Sequence, residues 1–139
     1  LDGLYVGDMP QTSYIVGLTL KPIKGLRLQA LYKTYDRNYA DWSPEAREIE
    51  DGVADRAQVW EAPGYSKLDL HASYKLPSVG GLDLTLTGHI FNALDEVFVQ
   101  DAVDNSKYNG WGDKVHAAHN AEVFLGTPRY ANIGLTVNF

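Results

Sequence analysis

The sequence predicts an all-β fold, an antiparallel up-and-down segment of a transmembrane β-barrel with five consecutive strands and the barrel left incomplete. Three observations lead there. Five stretches of nine to twelve residues alternate between an apolar and a polar row, the period of a strand whose successive side chains point to opposite faces. About ten residues is also what a tilted strand needs to cross the hydrocarbon layer. The connections between these stretches alternate strictly between short and long, and the long ones hold most of the acidic charge.

Composition agrees with one partial domain over residues 1–139. No run of eighteen apolar residues is present, so no transmembrane helix is expected. Mean hydropathy is slightly negative, as it should be where only alternate residues face lipid. Aromatics are plentiful (nine Tyr, four Phe, three Trp) and cysteine is absent, which excludes disulfides and thiolate metal sites. The chain opens on Leu1 with no signal peptide ahead of it, and reads as a piece of something longer.

Residues 1–12 are rich in Gly, Asp and Pro and read as loop. The first strand is 13–21, with Tyr14, Val16, Leu18 and Leu20 opposed to Ser13, Gly17, Thr19 and Lys21. Pro22 and Gly25 mark a tight turn. The second strand, 26–35, sets Leu26, Leu28, Ala30 and Tyr32 against Arg27, Gln29, Lys33 and Tyr35. After a long segment, 36–64, the third strand at 65–76 sets Leu68, Leu70, Ala72, Tyr74 and Leu76 against Lys67, Asp69, His71, Ser73 and Lys75. A second short turn, 77–81, leads to the fourth strand at 82–92. There Leu82, Leu84, Leu86 and Ile90 oppose Asp83, Thr85, Thr87 and His89. A second long segment, 93–128, precedes the last strand, 129–139. Ala131, Ile133, Leu135, Val137 and Phe139 form its apolar row; Tyr130, Asn132, Gly134, Thr136 and Asn138 form the other. Ending on Phe139 suits the seam strand of an outer-membrane barrel, which stops at the periplasmic rim.

No apolar row carries a charge. A barrel requires this, since Arg or Lys at the lipid face near the midplane costs roughly 2–4 kcal/mol. The inner face of a soluble sandwich would look the same. The connections discriminate better, because short turns at one rim and long loops at the other mark outer-membrane barrels. Segments 1–12, 36–64 and 93–128 have net charges of −2, −5 and −4, which leaves +5 on the strands and short turns out of a total of −6. With the C-terminus periplasmic, the long loops are extracellular and the N-terminal segment enters from the outer side. Five strands are odd in number and too few to close a barrel, so upstream strands are expected.

Several stretches resemble the late barrel strands of TonB-dependent outer-membrane receptors of the Bacteroidota type. They are Gly7-Asp-Met-Pro-Gln11, Lys21-Pro-Ile-Lys-Gly-Leu26, Asp55-Arg-Ala-Gln-Val-Trp60, Pro63-Gly-Tyr65 and Leu68-Asp-Leu-His-Ala-Ser-Tyr-Lys75. Ile90-Phe-Asn-Ala-Leu-Asp-Glu96 looks like the family's Asn-x-Leu-Asp element, and Glu122-Val-Phe-Leu-Gly-Thr-Pro-Arg-Tyr130 with Gly134-Leu-Thr-Val-Asn-Phe139 is similar to its closing signature. The resemblance covers nearly the whole chain, in order. It implies a plugged barrel in the cell outer membrane that takes up a scarce nutrient such as a ferric siderophore, cobalamin or glycan. The plug, the upstream strands and the coupling box that engages the TonB complex would lie in the N-terminal part, outside this sequence. The resemblance also implies that barrel-assembly machinery reads Asn132, Gly134, Val137 and Phe139. Its logic is strand addition at an edge, and an interfacial anchor at Phe139 is compatible with it. Leu68, Leu70, Leu84, Leu86, Ile133 and Leu135 are expected to face lipid.

Chemical motifs are sparse. His116 and His119, three apart with Asp113 nearby, can share a metal on a helical turn, but the pattern favours a solvated loop. Glu45, Glu48, Glu50, Asp51 and Asp55 lack the Asp-x-Asp-x-Asp-Gly spacing of a calcium loop. A short solvated helix fits better there, with Ser43 as cap, Pro44 at its first position and Glu45 at its positive end. His71 and His89 read as lumen residues. Trp42, Trp60 and Trp111 read as packing anchors of the loops, with ligand stacking as the alternative. Nothing points to an enzyme, a cofactor or a nucleic-acid partner. The competing readings are a non-transporting outer-membrane barrel, such as an adhesin or structural barrel, and a soluble β-sandwich binding module.

Overall fold

The structure is a computed structural model that describes residues 2–47, 52–78, 80–109 and 115–139. It is all-β and antiparallel. The strands are β1 (Pro10–Leu20), β2 (Leu26–Tyr39), β3 (Glu61–Ala62), β4 (Tyr65–Lys75), β5 (Asp83–Phe91), β6 (Val99–Asp104), β7 (Ala121–Leu125) and β8 (Tyr130–Asn138). Single helical turns occupy Pro44–Arg47, Ser106–Asn109 and Ala118–Asn120. The main sheet has the order β1-β2-β4-β5-β8, with β3 on the end of β2; β6 and β7 form a separate two-stranded sheet. All five strands anticipated from the sequence are present, each beside its chain neighbour among the five. The sheet does not close, because its two ends, β1 and β8, are not neighbours. The chain divides into two compact units.

The first unit comprises Tyr14–Thr34, Ser66–Glu96 and Thr127–Phe139, the body of the main sheet. Its register sets like against like. Leu70 faces Ile90 and Ile90 faces Ala131; Tyr74 faces Leu86 and Leu86 faces Leu135; Leu84 faces Val137. On the opposite face His71 meets His89, which meets Asn132, and Lys75 meets Thr85, which meets Thr136. Pro10 stands first in the edge strand β1, a position where its missing N–H leaves no gap in the ladder. In the turn before β2, Gly25 takes φ +85° while its carbonyl accepts the Lys75 N–H at 2.9 Å. A Cβ there would stand 2.5 Å from the Lys75 oxygen, so the turn needs glycine on both counts.

The second unit comprises Leu1–Ser13, Tyr35–Tyr65 and Val97–Gly126. The sequence reading treated most of this as loop; it is instead a small folded body. β2 runs on to Tyr39 and pairs with β3, Asn38 facing Ala62 and Tyr39 facing Glu61. Beyond it, the Asp41 N–H donates to Ala102 O at 2.7 Å and Asp41 O accepts from the Asp104 N–H at 2.8 Å. The core is Tyr39, Ala40, Val59 and Ala102, with Trp42, Trp60 and Val99 packed against it. Tyr5 stacks on Tyr39 with ring centroids 4.4 Å apart and accepts the Trp42 indole N–H on its carbonyl at 2.9 Å. Trp42 and Trp60 are thus packing residues; Trp111 lies outside the described residues.

Candidate functional site

Three arrangements in the structure bear on function: the apolar sheet face, a polar tie at the base of the second long segment, and a buried ionic cluster. The apolar face follows directly from the alternation of the strands. Leu68, Leu70, Leu84, Leu86, Ile133 and Leu135 all fall on it, in rows that the register aligns across β4, β5 and β8. It has no cover. Ile133 is 83% exposed and Leu135 61%, and Leu18 and Leu20 on β1 are exposed as well. Where the small residues Ala30, Ala72, Gly88 and Ala131 lie among larger ones, a hollow of about 530 Å³ opens on this side of the sheet.

Asn132, Gly134, Val137 and Phe139, the four residues expected to form a terminal signal, sit on β8 and just past its end. Asn132 and Gly134 belong to the polar row, and Val137 and Phe139 to the apolar one. Phe139 is fully exposed. Gly134 faces Thr87, whose hydroxyl donates to the Gly134 carbonyl at 3.3 Å. A Cβ on Gly134 would crowd that hydroxyl at 2.8 Å.

The Asn-Ala-Leu-Asp stretch after β5 is the polar tie. Asn92 and Asp95 adopt φ +50° and +56°, a region that Asn and Asp tolerate better than other side chains. The Asn92 amide donates to Glu96 O at 2.9 Å and Thr127 O at 3.3 Å, and its oxygen accepts the Glu96 N–H at 3.0 Å. The Asn92 N–H donates to buried Asp69, whose second oxygen lies 2.7 Å from Lys33 Nζ. Asp95 accepts the Arg129 N–H at 2.9 Å. Strand β4, the exit of β5 and the approach to β8 are fastened at this one place.

The third arrangement was not anticipated. Arg47 ends its helical turn almost fully buried, at 1% exposure. Its Nη1 donates to Ala57 O at 2.5 Å, and its guanidinium lies over the Trp42 ring at 5.2 Å. Beside it, His116 Nε2 is 2.7 Å from Asp55 Oδ2 and His116 Nδ1 is 2.5 Å from Asp104 Oδ2. Each ring nitrogen faces a carboxylate, and Nε2 also lies 3.1 Å from Arg47 Nη1. Burial lowers the pKa of Arg47 against the raising effect of the Asp104 and Asp55 charges. Burial would raise that of Asp55, but the hydrogen bonds from His116 and the Ala57 N–H, with the charges of His116 and Arg47, bring it below the ordinary carboxylate value.

Ser106 Oγ stands 3.1 Å from His116 Nδ1, so Ser106, His116 and Asp55 outline a nucleophile-base-acid relay. The chemistry does not follow. Asp104 already occupies Nδ1 at the shorter distance and also accepts from the Ser106 hydroxyl, and Ser106 is itself buried. The Ser106 hydroxyl is directed at Asp104 rather than left for the imidazole to activate.

The solvated-loop reading of His116 is therefore corrected: its two carboxylate partners bury it, whereas His119 is exposed and does not join it. Asp113, the third residue of that reading, lies outside the described residues, as do Glu48, Glu50 and Asp51. The Pro44–Arg47 turn is present as a short 3-10 helix. The Ser43 hydroxyl donates to the Glu45 carboxylate, and the Ser43 carbonyl accepts the Ala46 N–H at 3.0 Å. His71 and His89 lie on the polar face, side by side. No sequence signal announced the ionic cluster, since its members read singly as loop charges. No family model, curated protein or solved structure matches this chain.

Proposed function

We propose that this chain is a wall segment of an outer-membrane β-barrel of the TonB-dependent receptor type, serving active uptake of a scarce nutrient such as a ferric siderophore, cobalamin or glycan. One observation carries the membrane part of this reading: a single-layer sheet whose apolar face is aligned across its strands and left uncovered. Exposed apolar patches beyond a few hundred Å² on a soluble monomer mark an interaction surface, and here the surface alternates at the strand period that lipid contact demands. The exposure of Ile133 and Leu135 argues against a sandwich, which would bury them under a second sheet. The two unclosed ends of the sheet, β1 and β8, fit neighbours supplied by the rest of a barrel. The receptor class rests on the ordered motif resemblance, to which the central tie at Asn92 and Asp95 lends structural sense.

Two expected results test it. Expressed alone, residues 1–139 should precipitate or require detergent, because both sheet edges and the apolar face are open. A monodisperse monomer that melts cooperatively in plain buffer would refute the membrane assignment. In the complete receptor, removal of Phe139 should reduce the amount of folded, heat-modifiable barrel several-fold while leaving the folded fraction equally stable. Phe139 has no buried area to lose within this chain, so a loss of yield without a loss of stability reports recognition of the terminus. Unchanged yield would make Phe139 a rim anchor only.

A further inference from the structure

The polar face of the main sheet carries a pair of histidines that the proposed function does not use. His71 on β4 and His89 on β5 are direct cross-strand partners. Their Nδ1 atoms approach to 2.8 Å, with ring centroids 5.0 Å apart and planes inclined at 61°. The pair borders a hollow of about 380 Å³ that Arg27, Gln29, Ser73 and Phe91 also line. Phe91 lies edge-on to His71 at 5.4 Å and forms an apolar wall. Asn132 continues the same cross-strand row beyond His89.

Two imidazole nitrogens cannot face each other at this distance with both lone pairs free. One ring must donate an N–H to the other, or a cation must stand between them. We propose that His71 and His89 form a two-imidazole site for a divalent transition ion, with Cu²⁺ as its preferred occupant. Imidazole–metal bonds of about 2.0 Å set at a right angle place the nitrogens about 2.8 Å apart, whereas a tetrahedral angle needs about 3.3 Å. The observed separation is that of an N–H···N hydrogen bond and is also the spacing of the right angle, the cis edge of the tetragonal geometry that copper(II) and nickel(II) adopt. Copper also binds nitrogen donors more tightly than the neighbouring divalent ions. No third His, Asp or Glu completes the set among the described residues, so water takes the remaining positions, with the Asn132 amide within the same row. The ring that donates through Nδ1 moves that proton to Nε2, and both Nδ1 lone pairs then bind the ion. The site lies on the face away from the apolar rows, so it holds whether or not those rows face lipid.

The test titrates Cu²⁺ into the complete protein in detergent, with His71→Gln, His89→Gln and the double variant compared at matched folded fraction. Paramagnetic resonance reports the equatorial nitrogens, and competition with a chelating dye reports affinity. Each single variant is expected to weaken the strongest Cu²⁺ site at least tenfold and to remove one nitrogen from its signal; the double variant removes both. His119→Ala should leave site and signal as they were. An unchanged Cu²⁺ signal in the double variant overturns the proposal, as does a loss of under threefold in either single variant. Tighter binding of Zn²⁺ than of Cu²⁺ overturns the right-angle geometry and with it the proposed ion.

Discussion

If the apolar face meets lipid, arginine at position 135 is expected to cost the folded protein roughly 2–4 kcal/mol, and arginine at position 136 far less. Leu135 lies on the aligned apolar face opposite Leu86; Thr136, one residue on, lies on the polar face opposite Thr85. Under the membrane reading Leu135→Arg sets a guanidinium in hydrocarbon near the middle of the wall. Thr136→Arg points it to the interior, where water or plug polar groups receive it. Both substitutions install the same side chain and neither disturbs the ladder, so the difference isolates the face. Denaturant unfolding of the complete protein in lipid, with outer-membrane abundance alongside, provides the measurement. Equal tolerance at the two positions would remove the lipid-facing assignment from the whole row, since the register ties Leu135 to Leu86 and Tyr74.

The second large effect is expected in the other unit. Arg47→Met should destabilise it locally by about 3–5 kcal/mol, the usual consequence of deleting one partner of a buried ionic set. Methionine fills much of the volume but leaves Asp55 and Asp104 sharing only His116. Hydrogen exchange at the Asp41, Asp55 and Asp104 amides reads the effect directly, since all three donate to backbone carbonyls of this unit. Acid should act in the same direction. Because Asp55 has a lowered pKa in the fold, its contribution is present above the unfolded carboxylate value and fades as pH falls through the lowered one. Exchange in Arg47→Met no faster than in the native protein would mean that the cluster is a passenger on the Tyr39–Val59–Ala102 core.

The five main strands were legible because a half-buried strand writes its two faces into alternate residues. Leu68 to Leu76 and Ala131 to Phe139 do so without a break, and their cross-strand partners then follow from the short turns. The boundaries shifted where a partner was invisible: β2 runs to Tyr39 because it meets the two-residue β3, too short to carry a period. β6 and β7 were missed for a related reason. Val99-Gln-Asp-Ala-Val-Asp104 has an irregular register between Val99 and Asp101, which interrupts the alternation. The ionic cluster could not be read at all. Arg47, Asp55, Asp104 and His116 are joined only by the fold, and in the sequence each looks like a charge on a loop. His71 and His89 were placed on the right face, but only the register puts them opposite each other.

The tie at Asn92 also changes what the second long segment can become. Asn92 reaches Thr127, and Asp95 reaches Arg129, so the two ends of the segment are pinned together at its base. The closure is made by residues of the main-sheet unit alone, so the alignment of β5 with β8 does not depend on the length of chain between them. Lengthening a flexible closed loop is thermodynamically mild, about 0.6 kcal/mol for each doubling. That allowance extends only to added residues, since Ala102 belongs to the core and Asp104 and His116 to the ionic cluster; insertions that spare these three leave the pairing of β5 with β8 as it is.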